Sequence, residues 1–243
     1  MWSGRSIFAW CGIEGLIAST GTSVRRVDWY MLTIHHLGIS QSERVVWLCE
    51  ELGINYALKH YTRDPVTRLA PPELRALHPA GTAPVMTDGE VQIAESGAIV
   101  QYIIARHGGG RLALPPEHPD FGNYLYWFHF PNGNLQPHLG RNMVLGRIEA
   151  AKGHPATLSA QERVTRALAM VEARLGEAPY FAGSAFTAAD IMNVFTLTTM
   201  RYFQPWDISG YPNLLAYLAR IAQRPAYIAA MAKGDPGMKL LLT

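Results

Sequence analysis

Cysteine is scarce: the 243-residue chain contains only Cys11 and Cys49. Two thiols cannot build a disulfide framework, and they lack the paired spacing of a zinc site, so a reducing compartment is the simplest setting. Long apolar runs are missing as well. Charged or polar residues interrupt every apolar stretch well short of the ~20 residues a membrane span requires, and no transmembrane helix is expected. Basic runs go no further than Arg25-Arg26, and 21 Lys and Arg against 19 Asp and Glu give a formal charge of +2. That balance argues against nucleic acid as a partner. What the chain does have is 49% hydrophobic and 16% charged residues, enough to bury the core of one large domain or two modest ones.

Residues 1–30 stand apart. Ile7 to Ala18 is mildly apolar, but Glu14 interrupts it and only Arg5 precedes it, which makes a poor secretory signal. The segment reads as an extension, disordered or outside the fold, or as sequence upstream of the true start. Trp2, Phe8, Trp10 and Cys11 receive no functional role, and a cytoplasmic location is expected.

A regular pattern begins at Met31. Leu32 to Leu37 is rich in β-formers and stops at Gly38. Val45, Leu48, Cys49 and Leu52 then fall at i, i+3, i+4 and i+7, one apolar stripe of a helix that Gly53 ends. Tyr56 to Tyr61 reads as a second strand, followed by a proline-marked loop with room for one short helix. Pro84–Thr87 and Val91–Ile93, separated by Asp88-Gly89, read as a hairpin, and a helix runs from Glu95 to His107. The order is βαβαββα, with two parallel strands beside an antiparallel hairpin. Beyond Gly108-Gly109-Gly110 and the Pro115-Pro116 linker only helical periodicity remains. Tyr124 to Gly146 reads as one long helix or a kinked pair, because Pro131, Gly133 and Pro137 interrupt it. Val164, Leu168, Val171 and Leu175 form a cleaner stripe, and shorter ones run through Ile191 to Thr198 and Leu214 to Ile221.

Four short stretches in a fixed order are more specific than the fold pattern: Ser40-Gln41-Ser42-Glu43-Arg44, Gly81-Thr82-Ala83-Pro84-Val85, Glu95-Ser96 and Phe186-Thr187-Ala188-Ala189-Asp190-Ile191. In this the chain from Met31 to about Pro225 resembles the cytosolic glutathione S-transferases. The resemblance implies an α/β thioredoxin-like N-terminal domain over residues 31–109, a linker at 110–119 and an all-α C-terminal domain over 120–243. Ala70 to Leu74 and Tyr126 to Phe130 look most like a bacterial and fungal branch that uses a serine. The tyrosine-using and cysteine-using branches fit poorly, since neither residue occupies the loop after the first strand.

The resemblance implies glutathione as co-substrate, a small hydrophobic electrophile as its partner, no metal, and a homodimer. A thiol attacks as thiolate and titrates near ~8.5 when free, so the protein must lower that value. A helix start with a nearby hydroxyl suits the task. By alignment on Arg44, Ser40 is the first choice for the hydroxyl that donates to sulfur and Ser42 the second. Ser40 with Glu43 also fits a helix-capping box. Pro84 resembles the family's cis-proline, with Ala83 presenting its backbone to the glutathione peptide. Thr82 stands where many relatives carry a basic residue. Glu95 and Ser96 open a helix and would bind the γ-glutamyl end. Tyr124, Trp127, Phe128, Phe130, Tyr202 and Phe203 are candidates for an apolar cleft wall, although an aromatic stripe at helical spacing usually packs in a core. Cys49 reads as buried and inert, Thr187 with Asp190 as a helix start, and His35 and His36 point to opposite faces of a strand. Two other readings stay open: a non-catalytic binding or scaffold protein on this fold, and a glutathione-dependent peroxidase, dehalogenase or isomerase.

Overall fold

The computed structural model describes residues 31–243, so the reading of residues 1–30, including Trp2, Phe8, Trp10 and Cys11, lies outside the described residues. The first part runs β1 (Thr33–Leu37), α1 (Glu43–Leu52), β2 (Ala57–Tyr61), α2 (Pro72–Arg75), β3 (Val85–Asp88), β4 (Val91–Ala94) and α3 (Ser96–Arg106). The strands lie in the order β2-β1-β3-β4. β1 and β2 are parallel across the α1 crossover, with His36 beside His60, while β3 is antiparallel to both β1 and β4. This is a thioredoxin-like layer with the element order that the sequence patterns predict.

Only helices follow: α4 (Phe121–Phe130), α5 (Gln136–Gly146), α6 (Pro155–Glu177), α7 (Ala188–Leu197), α8 (Pro212–Ala222) and α9 (Pro225–Gly234). Between α4 and α5, Pro131–Leu135 forms a π-helical turn. Pro131 has no N–H to give to the helical ladder, and the wider turn joins the two helices without a break. The long helix is thus the interrupted kind.

α1 is more deeply buried than its stripe suggests. Val45, Val46, Trp47, Leu48 and Cys49 are all buried, because the helix packs on the sheet and α3 on one side and on α7 and α9 on the other. A helix covered on two sides needs apolar residues beyond a single stripe. The Trp47 ring meets Tyr227 edge-on at 4.9 Å and Phe186 at 5.5 Å, and Arg224 forks onto Glu51 at 2.7 and 2.8 Å. Burial pushes the Cys49 thiol far above its usual range, so it stays protonated and inert.

Thr187 and Asp190 form a capping box at the start of α7. Asp190 is fully buried and accepts the box's Thr187 N–H at 2.8 Å and two further bonds, from the Phe181 N–H at 3.0 Å and the Tyr217 hydroxyl at 3.2 Å. Asp190→Ala leaves those donors unpaired in the core, and a loss of about 2–4 kcal/mol is expected, read by urea denaturation. Asp190→Asn, which keeps one acceptor oxygen, is expected to lose less.

Candidate functional site

The loop from Gly38 to Ser42 joins β1 to α1 and is held from both sides. Ile39 adopts a left-handed backbone with φ 52°, uncommon for a β-branched residue. Its N–H donates to Asp235 Oδ1 at 2.8 Å, while Arg63 donates to the carbonyls of Gly38 at 3.3 Å and Ile39 at 3.1 Å. These bonds come from segments remote in sequence and keep a strained loop in one shape.

The two loop serines are placed differently. Ser42 is fully buried and its Oγ lies within hydrogen-bond distance of the Leu37 N–H and carbonyl, His36 Nδ1 and Ser40 Oγ. Ser40, 7% exposed, lines a cavity and accepts from the Ser42 N–H at 3.2 Å. Ser40 and Glu43 do not form the capping box that their spacing allows. The residue at the head of α1 is Ser42, and Glu43 turns into the core to accept from Thr199 Oγ1 at 2.7 Å.

The Ala83–Pro84 peptide is cis, and Thr82 and Ala83 line the same cavity as Ser40. Arg75, the last residue of the short α2, lines it too. A cation therefore stands near Thr82, where the sequence alone shows none. Spacing could not reveal it, because the proline-marked loop brings the two together.

Glu95 is exposed and sits at φ 70° immediately before α3, while Ser96 is buried. The Ser96 hydroxyl accepts from Arg44 Nη1 at 3.0 Å and Asn132 Nδ2 at 3.3 Å, and donates to Gln41 Oε1 at 3.3 Å. Its side chain thus faces an internal network. Arg44, fully buried, is the hub: it donates to Gln41 and Asn132 at 2.6 and 2.8 Å through Nη1, and to Thr196 and Gln136 at 3.2 and 3.4 Å through Nη2. Its guanidinium also lies over the Phe195 ring, 5.1 Å from the centroid. Burial pulls its pKa down to about 9, which leaves it charged at neutral pH. Arg44 serves as an alignment landmark in the sequence. The signal of its burial is that it stands four and eight residues before Leu48 and Leu52, on their stripe.

The cavity, about 350 Å³, lies between the two parts of the chain. Ser40, Thr82, Ala83 and Arg75 form its polar side, and Met143, Phe195, Met200 and Phe203 the apolar side. A smaller recess, about 290 Å³, is lined by Gln41, Glu95, Asn132 and Gln136. Gln41 and Gln136 border both spaces. Of the aromatic candidates, Tyr124, Trp127, Phe128 and Phe130 are buried in the core, and Tyr202 borders a different hollow. Only Phe203 among the six reaches the cavity. Phe195, on α7, supplies the aromatic surface that the α4 stripe does not.

Residues 35–111 match the family model for the glutathione S-transferase N-terminal domain, and residues 135–225 that for the C-terminal domain. The chain belongs to the glutathione S-transferase family. Among solved members of the family, a glutathione S-transferase from Actinobacillus pleuropneumoniae is 32% identical, with a TM-score of 0.77 over 84% of this chain and 93% of that one. Glutathione S-transferase 3 of Schizosaccharomyces pombe is 28% identical over 218 residues, covering 84% of this chain and 88% of its own. A theta class glutathione S-transferase from Xanthomonas axonopodis pv. citri, crystallised with glutathione bound, is 26% identical with a TM-score of 0.64, over 88% of this chain and 99% of its own. Among the described residues, no helix is long and apolar enough to cross a membrane.

Glu43 gives this transferase-family site a pH signature. Burial pushes its carboxyl from an ordinary value of 4.5 up to about 8, and the Asp235 charge adds to the rise. Because the folded-state value lies above the unfolded one, the contribution to stability is complete below pH 4.5 and is lost as pH rises through about 8. Thermal denaturation across that window is expected to show wild type losing stability on the alkaline side. Glu43→Gln, which cannot ionise, should remove most of that loss, on the order of a few kcal/mol.

Proposed function

We propose that this chain is a glutathione transferase that binds glutathione along the polar side of the cavity and holds its thiol as thiolate at Ser40. The observation that carries the reading is that Ser40, two residues before the N-cap of α1, lines the same cavity as Phe195, Met200 and Phe203. Glutathione is the co-substrate, and the bound form in the Xanthomonas relative supports it.

In this reading the sulfur takes a hydrogen bond from the Ser40 hydroxyl near the start of α1, where unpaired N–H groups and the helix dipole favour an anion. Ala83, with Thr82 and Pro84, meets the extended peptide by backbone pairing. Arg75 supplies the positive charge for the glycine carboxylate that Thr82 does not. Glu95 takes the γ-glutamyl ammonium, and the N–H groups at the start of α3 beside Ser96 take its carboxylate. The Arg44 charge, one hydrogen bond behind Gln41 and Ser96, favours an anion there as well. The thiol proton leaves to solvent, the thiolate forms a C–S bond with a small hydrophobic electrophile held on the apolar wall, and the leaving group departs with the bonding pair. Ser42, the second choice for contact with sulfur, has its hydroxyl occupied inside the protein. Pairing into a homodimer and a cytoplasmic location complete the proposal.

A titration of bound glutathione, followed by thiolate ultraviolet absorbance, tests this. Wild type is expected to hold the thiol pKa at least about one unit below its free value near ~8.5, a tenfold or greater enrichment of thiolate at low pH. Ser40→Ala is expected to lose most of that shift while still binding. Binding without a shift in wild type would point instead to the non-catalytic reading, and absence of binding would end the functional assignment.

A further inference from the structure

Behind Ser40 lies a line of polar atoms that the chemistry above does not use. Ser40 Oγ is 2.7 Å from Ser42 Oγ, Ser42 Oγ is 2.8 Å from His36 Nδ1, and His36 Nε2 is 3.4 Å from Asp235 Oδ2. The last pair face each other at ion-pair distance, and neither atom has a hydrogen-bond partner. The His36 and Asp235 side chains are 0% and 6% exposed, so solvent does not compete. Packing is tight at both ends: a Cβ on Gly234 would stand 3.2 Å from the His36 ring, and one on Gly38 3.1 Å from Asp235.

We propose that Asp235, His36 and Ser42 form a buried positioning relay that sets the direction of the Ser40 hydroxyl hydrogen, aiming it into the cavity, toward the sulfur of bound glutathione, whenever His36 Nδ1 carries a proton. The proposal rests on the assignment of Ser40 as the group that faces the thiol. It follows from counting hydrogens. A serine hydroxyl has one hydrogen and two lone pairs, and each imidazole nitrogen either donates or accepts. When His36 carries protons on both nitrogens, Nε2–H points at Asp235 and Nδ1–H donates to Ser42. Ser42 Oγ also accepts from the Leu37 N–H at 3.2 Å, so both its lone pairs are used, and its one hydrogen goes to Ser40 at 2.7 Å in preference to the Leu37 carbonyl at 3.2 Å; Ser40 also accepts from the Ser42 N–H. The hydrogen of Ser40 is left for the cavity. When His36 is neutral with its proton held on Nε2 by Asp235, Nδ1 draws the Ser42 hydrogen instead. Ser42 is then an acceptor for Ser40, whose hydrogen turns inward. The direction of the chain is thus set by which groups surround His36: Asp235 beyond α9, the His60 ring of β2 meeting its edge at 5.5 Å, and, through Asp235, Glu43 and Arg63. No proton need cross the relay during the reaction.

The test is the thiolate titration of glutathione bound to full-length variants, with glutathione affinity measured alongside. Ser42→Ala is expected to raise the thiol pKa, cutting the thiolate fraction roughly tenfold, with affinity within about twofold of wild type. Ser42→Thr, which keeps the hydroxyl, should restore it. Because the two serines act in series, Ser40→Ala/Ser42→Ala should lose no more than Ser40→Ala alone. Asp235→Asn offers an amide N–H to His36 Nε2, which fixes the single imidazole proton on Nδ1, so it is expected to retain the shift. Ser42→Cys, a weaker donor of similar shape, carries the test if Ser42→Ala does not fold. A full thiol shift in Ser42→Ala or Ser42→Cys, additive losses in the double variant, or loss of the shift in Asp235→Asn would each overturn the relay while leaving Ser40's role intact. A full shift in Ser40→Ala, or none in wild type, would overturn the underlying assignment and the relay with it.

Discussion

The constraint on which the rest of the structure depends is the burial of one positive charge. Arg44 sits at the start of α1 with no solvent contact, and a lone guanidinium in such a place is costly unless its donors are met. The chain meets those of Nη1 and Nη2, leaving Nε without a partner, with oxygen dipoles drawn from four other places: Gln41 in the loop, Ser96 on α3, Asn132 in the π-helical turn with Gln136 just after it, and Thr196 on α7. Each of these must be within a few tenths of an ångström of its position for the charge to be tolerated. The network therefore ties the thioredoxin-like layer to the helical part at the point where the cavity opens. It also explains the irregular geometry between α4 and α5, because the wider turn at Pro131 is what brings Asn132 to the guanidinium.

Around that hub the candidate site is divided by chemistry. The groups suited to a charged peptide come from the β1–α1 loop, the segment before β3 and the start of α3, whereas the apolar surface comes from α5, α7 and the turn after α7. Rigid polar positions and an apolar wall with two flexible methionines, Met143 and Met200, suit one fixed ligand and a range of second ones.

Much of this was legible in the sequence, for reasons that differ by element. The strands and α1 follow from β-former runs, glycine stops and 3.6-residue spacing, and the site loops from short motifs at turns, where local chemistry decides the conformation. The α4 aromatics show the limit. Their helical spacing names a face, and only packing against α7 decides that the face is core. Arg75 and Phe195 were invisible as wall residues because each reaches the cavity through a fold-level approach that spacing does not encode. Motif alignment supports Ser40 over Ser42 only narrowly, and that His36 and Leu37 engage the Ser42 hydroxyl is a matter of packing that spacing does not encode.

The bond from Ile39 to Asp235 joins residues 196 positions apart. A ribosome delivers the serine loop early and its anchor almost last. The thioredoxin-like layer can collapse on its own strands and helices while the chain is still being made, but its Ser40 loop has no carboxylate to lock onto until α9 has emerged and docked on α1. The set shape of the serine loop would therefore arrive as a late event in the life of each molecule. A nascent or clipped chain that stops short of residue 235 would lack the carboxylate that holds the Ile39 N–H, and the serine loop would be left unset.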